Sequence, residues 1–197
     1  MSHFQAPETA APLGAVQTDR LQLRRFEATD LDGLADVFAK REVWEFPYGR
    51  AFTRDETSRF LESQMQEWDE CGFGCWIAVL RETHQTIGYV GLSVPMLLPE
   101  ILPAVEVGWR FDPAYWGQGF ASEGALAALR EGFTTLGLTE ICSLPQSSNP
   151  PSFKLCERIG MTFQRTMQCP ATDRRGGVEA RMYTMSSAEW TARSDGS

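Results

Sequence analysis

Residues 113–124, PAYWGQGFASEG, place two glycines and two bulky aromatic side chains at one junction between a strand and a helix. The residues before it, 104–111, alternate in polarity as a strand does, and the residues after it, 122–137, have the apolar spacing of a helix. The first turn of a helix presents unpaired N–H groups and the positive end of the helix dipole. Because Gly117 and Gly119 carry no side chain, an anion can approach these N–H groups closely, so we expect the loop to hold a diphosphate.

Small and aromatic residues next to the glycines extend this prediction. Ala121 and Ser122 continue the bare surface into the first helical turn, and we expect Trp116 and Phe120 to anchor the loop in the core. The dinucleotide-binding pattern GxGxxG fits less well, because it requires glycine or alanine where this chain has Ser122, and the GK[ST] of a P-loop is missing. Taken alone, the loop also fits a glycine-rich turn that only caps a helix.

A second polar group follows the next predicted strand, 138–145, in the segment SSNPPSFKLCERIGM (147–161). Asn149 and Ser152 therefore lie at the same edge of the predicted sheet as the glycine loop, and ligands bind at such edges in open sheets. Asn149 offers a donor and an acceptor, and Ser152 offers a hydroxyl group. A plain helix N-cap for Asn149 and a solvated first-turn serine for Ser152 are the alternatives.

The remaining periodicities predict one α+β domain, with a single mixed, mostly antiparallel central sheet and flanking helices. Residues 1–18 are expected to form a flexible arm, residues 19–190 the domain, and residues 191–197 a flexible tail. The patterns predict strands at 21–26, 75–81, 86–94, 104–111, 138–145, 161–169 and 177–186, and helices at 28–40, 53–70, 122–137 and 149–160.

The composition limits the kinds of partner. With 18 Lys and Arg against 26 Asp and Glu, the formal net charge is −8, which argues against a nucleic-acid partner and suits a cationic substrate, although the charge can also serve solubility alone. No apolar run is long enough to span a bilayer and no signal peptide is recognisable, so we expect a cytoplasmic protein without membrane contact. Five cysteines without a CxxC pair, and two histidines with no neighbouring cysteine, predict no disulfide and no metal site.

The strand 104–111, the glycine loop and the segment 149–161 together resemble the GNAT acetyltransferase superfamily, and most closely its RimJ/RimL-like branch. Members of that branch carry a tyrosine or tryptophan before Gly-x-Gly-aromatic-Ala, and Asn-x-x-Ser after the next strand. The resemblance covers residues 18–186. This chain departs from the general pattern at Trp116, where Gln or Arg is usual, and at Met161, where Phe is usual.

The resemblance implies that acetyl-CoA is the co-substrate and lies between the strands 104–111 and 138–145. The loop backbone would hold the pyrophosphate, and the strand backbone would pair with the pantetheine arm. Asn149 would bond the pantetheine, and Lys154, otherwise an ordinary surface lysine, would meet the 3′-phosphate. The residues implied in cofactor binding are Trp109, Arg110 and Phe111 on the strand, Gly117, Gln118, Gly119, Phe120, Ala121 and Ser122 in the loop, and Asn149 and Lys154 beyond it.

The resemblance also implies direct attack of a neutral amine on the thioester in a ternary complex. Glu106 is the candidate base, because partial burial would raise the pKa of its carboxyl group toward neutrality. The alternative is that Glu106 only orients the amine. By analogy, Ser152 protonates the leaving thiolate beside Asn149, and a strand N–H near Val107 polarises the thioester oxygen.

An aromatic segment between the first two helices, residues 41–53, is the candidate acceptor site. Trp44, Phe46 and Tyr48 would contact the amine beside Glu106, and a hydrophobic lid over the core is the alternative role. The acceptor is either a small-molecule amine or a protein N-terminal α-amine, and a homodimer is possible. A catalytically silent acyl-CoA-binding domain is the competing functional hypothesis.

Overall fold

Eight strands form one sheet in the computed structural model, which describes residues 13–172 and 176–194. The strands are β1 (Val16–Gln17), β2 (Leu21–Arg24), β3 (Cys75–Leu80), β4 (Thr86–Ser93), β5 (Glu106–Phe111), β6 (Glu140–Ser143), β7 (Thr162–Cys169) and β8 (Val178–Ser186). Their order across the sheet is β1-β2-β3-β4-β5-β6-β8-β7. Every neighbouring pair is antiparallel except β5 and β6, which are parallel. The expected mixed, mostly antiparallel sheet is confirmed.

Helices cover both faces of this sheet, as the α+β prediction requires. They are α1 (Leu31–Phe38), α2 (Glu45–Tyr48), α3 (Arg54–Cys71), α4 (Phe120–Thr134), α5 (Pro150–Arg158) and α6 (Ser187–Ser194). Leu129 of α4 belongs to the same buried cluster as Val107 of β5. Phe38 of α1 and Leu61 of α3 share a second cluster with Ile77 of β3. Because strand side chains alternate between faces, these two clusters lie on opposite sides of the sheet.

Several helices begin at a polar cap or end near a glycine, close to the positions that the sequence predicts. Helix α3 begins with a capping box: Thr53 Oγ1 accepts the N–H of Glu56, and the Glu56 carboxylate accepts the N–H of Thr53. Gly160, with φ +87°, follows α5. Helix α4 ends at Thr134, earlier than the predicted Gly137, which has φ +66° in the turn towards β6. Within the described ranges, no helix is both long and apolar enough to cross a membrane.

The folded unit extends further at both ends than the sequence patterns predict. Leu13 and Val16, placed in the expected arm, are buried, and β1 pairs with β2. At the other end α6 continues into the expected tail, and Trp190 packs beside Phe133 with ring centroids 5.8 Å apart. A strand of two residues is too short to show a periodicity, so sequence patterns do not reveal β1. The rest of the expected arm and tail lies outside the described residues.

Candidate active site

The parallel strands β5 and β6 are joined at a single position and then separate. Glu106 of β5 faces Cys142 of β6, and this is the one register pair between the two strands in the described chain. The N–H of Cys142 donates to the Val105 carbonyl over 2.9 Å. The rest of β5 therefore has a backbone edge without a neighbouring strand, in the middle of the sheet. This opening lies at the carboxyl end of both strands, where the two predicted polar groups follow.

Hydrogen-bond alternation decides which residues of β5 face this opening. The N–H of Asp112 donates to the Ile87 carbonyl of β4 over 2.8 Å, so the even-numbered residues of β5 pair with β4. The backbone groups of Val107, Trp109 and Phe111 consequently point toward the opening. The carbonyl of Phe111 already accepts the indole N–H of Trp116 over 2.8 Å. The parallel bridge of Glu106 with Cys142 uses the N–H of Val107, so the free backbone edge consists of the Val107 carbonyl and the backbone groups of Trp109.

Arg110 does not share the role that the sequence predicts for its two neighbours. Its backbone faces β4, opposite Tyr89, because it occupies an even-numbered position. Its side chain crosses to the helical layer, where Nη1 donates to the carbonyls of Val43, over 2.6 Å, and Phe46, over 2.7 Å. The guanidinium carbon lies 4.0 Å from the ring centroid of Trp44. Arg110 therefore holds Val43 and Phe46 through its side chain, and its backbone faces β4 rather than the opening.

The glycine loop presents an open backbone at the start of α4. Asp112 Oδ1 accepts the N–H of Ala114, which closes a 3-10 turn at Pro113–Tyr115. Gly117 (φ +73°) and Gly119 (φ +85°) then take left-handed conformations that favour glycine. A Cβ atom at position 117 would meet no heavy atom within 4 Å. Residues 116–119 are exposed, so the unpaired N–H groups of the first turn are accessible to an anion.

Trp116 does not anchor this loop in the core, and the prediction for it is wrong. Its side chain is 52 % exposed, although its indole N–H is fixed by the hydrogen bond to Phe111. Phe120, in contrast, is buried as expected. The 3-10 turn brings Tyr115 onto Phe120, with ring centroids 5.8 Å apart in an edge-on arrangement. Tyr115 therefore supplies the core contact that the sequence pattern assigned to its neighbour.

A charged cluster that sequence patterns do not reveal holds the loop in place. Glu123, in the first turn of α4, accepts hydrogen bonds from the Thr18 hydroxyl and from the backbone N–H and Nε of Arg20. Arg20 Nη1 also donates to the Gln118 carbonyl over 2.9 Å, and the guanidinium lies 4.1 Å from the centroid of the Phe120 ring. Burial acts to raise the pKa of Glu123, but Thr18 and Arg20 outweigh it, so the pKa is lowered. The partners are separated by about a hundred residues in the chain, which sequence spacing cannot reveal.

We expect Arg20→Ala to loosen the glycine loop. The variant loses the guanidinium contacts to Glu123 and Gln118, and because Arg20 is half-exposed the free energy of unfolding should fall by only about 1 kcal/mol. Binding of acetyl-CoA, the co-substrate that the resemblance implies, should weaken about tenfold as a rise in KM, because positive charge beside the loop is lost. Urea unfolding and CoA-release kinetics measure the two effects. Arg130→Ala removes the ion pair of Arg130 with Glu131, far along α4 from the loop, and is the matched control. Equal behaviour of the two variants would contradict a role for Arg20.

Glu106 lies where β5 and β6 separate and faces a cavity. The cavity has a volume of about 340 Å³ and is bounded by the β4–β5 connection, by Leu144 and by the end of β7. The pKa of Glu106 is raised to about 7, mainly because the carboxyl group is buried. A hydrogen bond from the backbone of Leu144 lowers the pKa, and the negative charge of Glu67 raises it. The direction is the one expected from the sequence. At neutral pH this carboxyl group can therefore exchange a proton.

Asn149 and Ser152 lie at the start of α5, directly after β6. Asn149 Oδ1 accepts the N–H of Ser152 over 3.3 Å and caps the helix. The cap uses the side-chain oxygen, so the amide NH2 group is the part of Asn149 suited to a ligand. Lys154 is exposed one turn along the helix. The starts of α4 and α5 thus follow the two strands that border the opening.

The aromatic acceptor segment packs largely into the core. Trp44 is only 3 % exposed and stacks on Phe52 with ring centroids 3.7 Å apart. Tyr48 packs against the same two rings, and Phe46 is partly exposed. None of Trp44, Phe46 and Tyr48 is among the described residues that line the cavity with Glu106. Trp44 is therefore a core residue, and the guanidinium group of Arg110 packs on its ring. The predicted segment thus contacts Arg110 of β5 but does not line the cavity.

Cysteines and acidic groups do not assemble into a further centre in the part of the chain that the structure describes. All five cysteines lie in that part, and none forms a disulfide. Burial raises the pKa of the Cys142 thiol strongly and that of Cys156 to about 12, which keeps both protonated. Among the same residues, no group of three His, Cys, Asp or Glu side chains is arranged to hold a metal ion.

Comparisons with known proteins agree with this geometry. The model of a protein family described as "Acetyltransferase (GNAT) domain" matches residues 20–162 of this chain. The chain is 28% identical over 149 residues to the uncharacterized N-acetyltransferase p20 of Bacillus licheniformis, covering 75% of this chain and 81% of the relative. It is 28% identical to the FsC-acetyl coenzyme A-N(2)-transacetylase of Aspergillus fumigatus, covering 73% of this chain and 63% of that protein.

A solved structure adds a comparison of the fold itself. The crystal structure of the acetyltransferase from Agrobacterium tumefaciens strain C58 superposes with a TM-score of 0.69 at 27% identity, covering 86% of this chain and 94% of that one. The match of the family description spans well over half of the chain, and it includes β5, the glycine loop and α5. The chain therefore belongs to the GNAT acetyltransferase family.

Proposed function

We propose that this protein transfers the acetyl group of acetyl-CoA to a primary amine. The observation that carries the proposal is the open row of backbone N–H groups at the start of α4, next to a sheet edge that no strand occupies. An anion site and an extended backbone edge are together what a diphosphate with a pantetheine arm requires. The name of the fungal relative, which specifies acetyl coenzyme A, supports this choice of co-substrate.

The co-substrate would use three parts of the opening. Backbone N–H groups of residues 117–122 would hold the pyrophosphate, and the free edge of Val107 and Trp109 would hydrogen-bond the pantetheine arm. The NH2 group of Asn149, at the start of α5 after β6, would meet the same arm from the other side of the opening. Lys154, exposed on α5, would contact the 3′-phosphate as a point charge. The pantetheine arm would enter where β5 and β6 part, close to Glu106.

The chemistry follows from the carboxyl group at the point of separation. Glu106, with a pKa near neutrality, would accept a proton from the amine as the amine nitrogen bonds to the thioester carbon. The Trp109 N–H, the next strand N–H after Val107 on this side of β5, faces the opening and would donate to the carbonyl oxygen as negative charge develops there. The carbon–sulfur bond then breaks, and Ser152 would protonate the thiolate while its own hydroxyl group takes up a proton from solvent. Holding the amine beside the thioester supplies much of the rate enhancement.

The finer assignment is to the RimJ/RimL-like branch and to a cytoplasmic enzyme. The Trp-Gly-Gln-Gly-Phe-Ala loop and the Asn-x-x-Ser segment at Asn149 support the branch. Reduced thiols that remain protonated and form no disulfide suit a reducing compartment. The acetyltransferase domain would comprise the expected residues 19–190, extended by β1 at one end and by the last residues of α6 at the other.

A thermal-shift series separates this function from the competing hypotheses. CoA and acetyl-CoA, each near a hundredfold above its dissociation constant, should raise the Tm by about 5–10 °C, whereas NAD should leave it unchanged. Thiol release from acetyl-CoA in the presence of primary amines then tests the chemistry. A shift without thiol release with any amine would indicate a silent acyl-CoA-binding domain. No shift with CoA or acetyl-CoA would contradict the proposed function altogether.

A further inference from the structure

The cavity beside Glu106 is built almost entirely from apolar side chains. It lies between the connection that follows β4 and the end of β7, and Glu106 is the one acidic residue among the described residues that line it. Its apolar lining residues are Val94, Pro95, Met96, Leu97, Leu98 and Leu144. A volume of about 340 Å³ is at the small end of the range for ligand pockets. Ser93 and Cys169 complete the lining, so the cavity pairs one acid with a wall that is mainly apolar.

The apolar wall is held in place by packing and by its own backbone. Leu98 is buried in a cluster with Cys169 and Ala180, which attaches the β4–β5 connection to the β7–β8 hairpin. Backbone N–H groups within the connection are used internally: Met96 donates to Val94 over 2.8 Å and Leu98 to Pro95 over 2.9 Å. The N–H groups of Met96 and Leu98 are therefore hydrogen-bonded within the connection, and the wall presents mainly side chains to the cavity.

Two of the wall residues remain exposed to solvent. Met96 is 61 % exposed and Leu97 59 %, and they are the most exposed large apolar residues among those that the structure describes. Most large apolar side chains of the chain are buried, so two adjacent exposed ones at a cavity mouth are unusual. A ligand whose body is apolar would cover them and gain the free energy of removing apolar surface from water.

Charge selects the reactive end of such a ligand. Glu106 attracts an ammonium group, and the field of Glu67 reinforces this attraction. A second ammonium group, as in a diamine, would lie against Leu98 or Leu144 with no second carboxylate among the described lining residues, which is unfavourable in an apolar setting. A hydroxyl or ether group on the substrate would lose hydrogen bonds to water, and the Ser93 hydroxyl could replace only part of them.

We infer that the acceptor is a small primary amine with one charge and an apolar substituent, bound in this cavity with its nitrogen at Glu106. The inference rests on the proposed function and specifies its substrate class. The cavity, rather than the predicted segment of Trp44, Phe46 and Tyr48, then determines which amine is acetylated.

A matched set of amines tests the inference. Hexylamine, 2-(2-aminoethoxy)ethanol and pentane-1,5-diamine have chains of similar length but differ in polarity, and Ala-Ala-Ala amide represents a protein N-terminus. CoA release should give a kcat/KM for hexylamine about ten- to a hundredfold above that of the ether alcohol and of the diamine. Leu97→Gln should reduce this preference several-fold, since Leu97 is exposed and the change should not disturb the fold. Phe163→Gln, at an exposed apolar residue of β7 outside the cavity, is the control.

The remaining outcomes of this assay would contradict either the choice of amine or the proposed function. Equal or faster turnover of the ether alcohol or the diamine would contradict the apolar cavity as the selecting element. Turnover of Ala-Ala-Ala amide with hexylamine inactive would assign the site to a protein N-terminus instead. A CoA-induced thermal shift without turnover of any of these amines would contradict the inference, whereas loss of the shift itself would contradict the proposed function.

Discussion

Replacing Gly119 by glutamate should weaken acetyl-CoA binding by at least about a hundredfold, or about 2.7 kcal/mol. Gly119 precedes α4 with φ +85°, and a Cβ atom there would lie 3.3 Å from Nη2 of Arg20. The new side chain would put a negative charge among the N–H groups that attract the diphosphate, and it would compete for the Arg20 guanidinium. Isothermal titration with CoA measures the loss.

Gly137→Glu is the matched control for this variant. Gly137 also has a left-handed backbone, with φ +66°, and a Cβ atom there would meet no heavy atom within 4 Å. Both variants should therefore lose about 1–2 kcal/mol of folding free energy from backbone strain. Only the change at Gly119 should affect CoA binding. If Gly119→Glu bound CoA as tightly as Gly137→Glu, the glycine loop would not be the diphosphate site.

Replacing Glu106 by glutamine should lower kcat about a hundred- to a thousandfold at pH 7, within the usual range for loss of a general base. The wild-type rate should rise with pH through an inflection near pH 7, because the carboxyl group must be ionised to accept a proton. This inflection should be absent in the variant. A stopped assay of CoA release between about pH 5.5 and 9 brackets the pKa and records both profiles. Full activity of the variant would assign Glu106 to positioning the amine or to no role.

Folding stability offers a second readout that does not depend on turnover. The pKa of Glu106 is raised above its ordinary value of 4.5 to about 7, so the folded protein binds this proton more tightly than the unfolded chain does. The corresponding stability is present below pH 4.5 and is lost as the pH rises through about 7, by up to about 3 kcal/mol. Glu106→Gln should thus become more stable relative to the wild type, by about 5–10 °C in Tm, over this pH range. Glu140→Gln, at an exposed position on β6, should show no such trend.

The sequence predicts the local backbone structure well, including that of the segments around the candidate site. The capping box at Thr53, the cap at Asn149, and the junction of strand, glycine loop and helix around Gly119 each depend on residues that are close in the chain. The alternation of polarity along β5 is by itself enough to place Glu106 on the opposite face from Val107. These features are set by backbone geometry, which short sequence patterns encode.

Contacts between distant parts of the chain are not encoded in this way. The cluster of Arg20 and Glu123 forms because the turn between β1 and β2 meets the start of α4, and neither residue belongs to a local pattern. Trp44 has the composition expected of an exposed binding loop, but Phe38 and Phe52 enclose it in the core. The cavity likewise depends on where the β4–β5 connection packs against β7 and β8. Sequence periodicity does not reveal this packing, because these segments are far apart in the chain.

The unpaired edge of β5 also has a consequence for the behaviour of the protein in a crowded solution. Exposed strand edges invite neighbouring chains to pair with them, which leads to aggregation. Here the vulnerable edge lies inside the sheet, is limited mainly to Val107 and Trp109, and ends where the Trp116 indole occupies the Phe111 carbonyl. A second polypeptide would have to insert between two strands that remain joined at Glu106 and Cys142, and it would find only a few free backbone groups there. The shortness and internal position of this edge thus limit self-association of the protein through it.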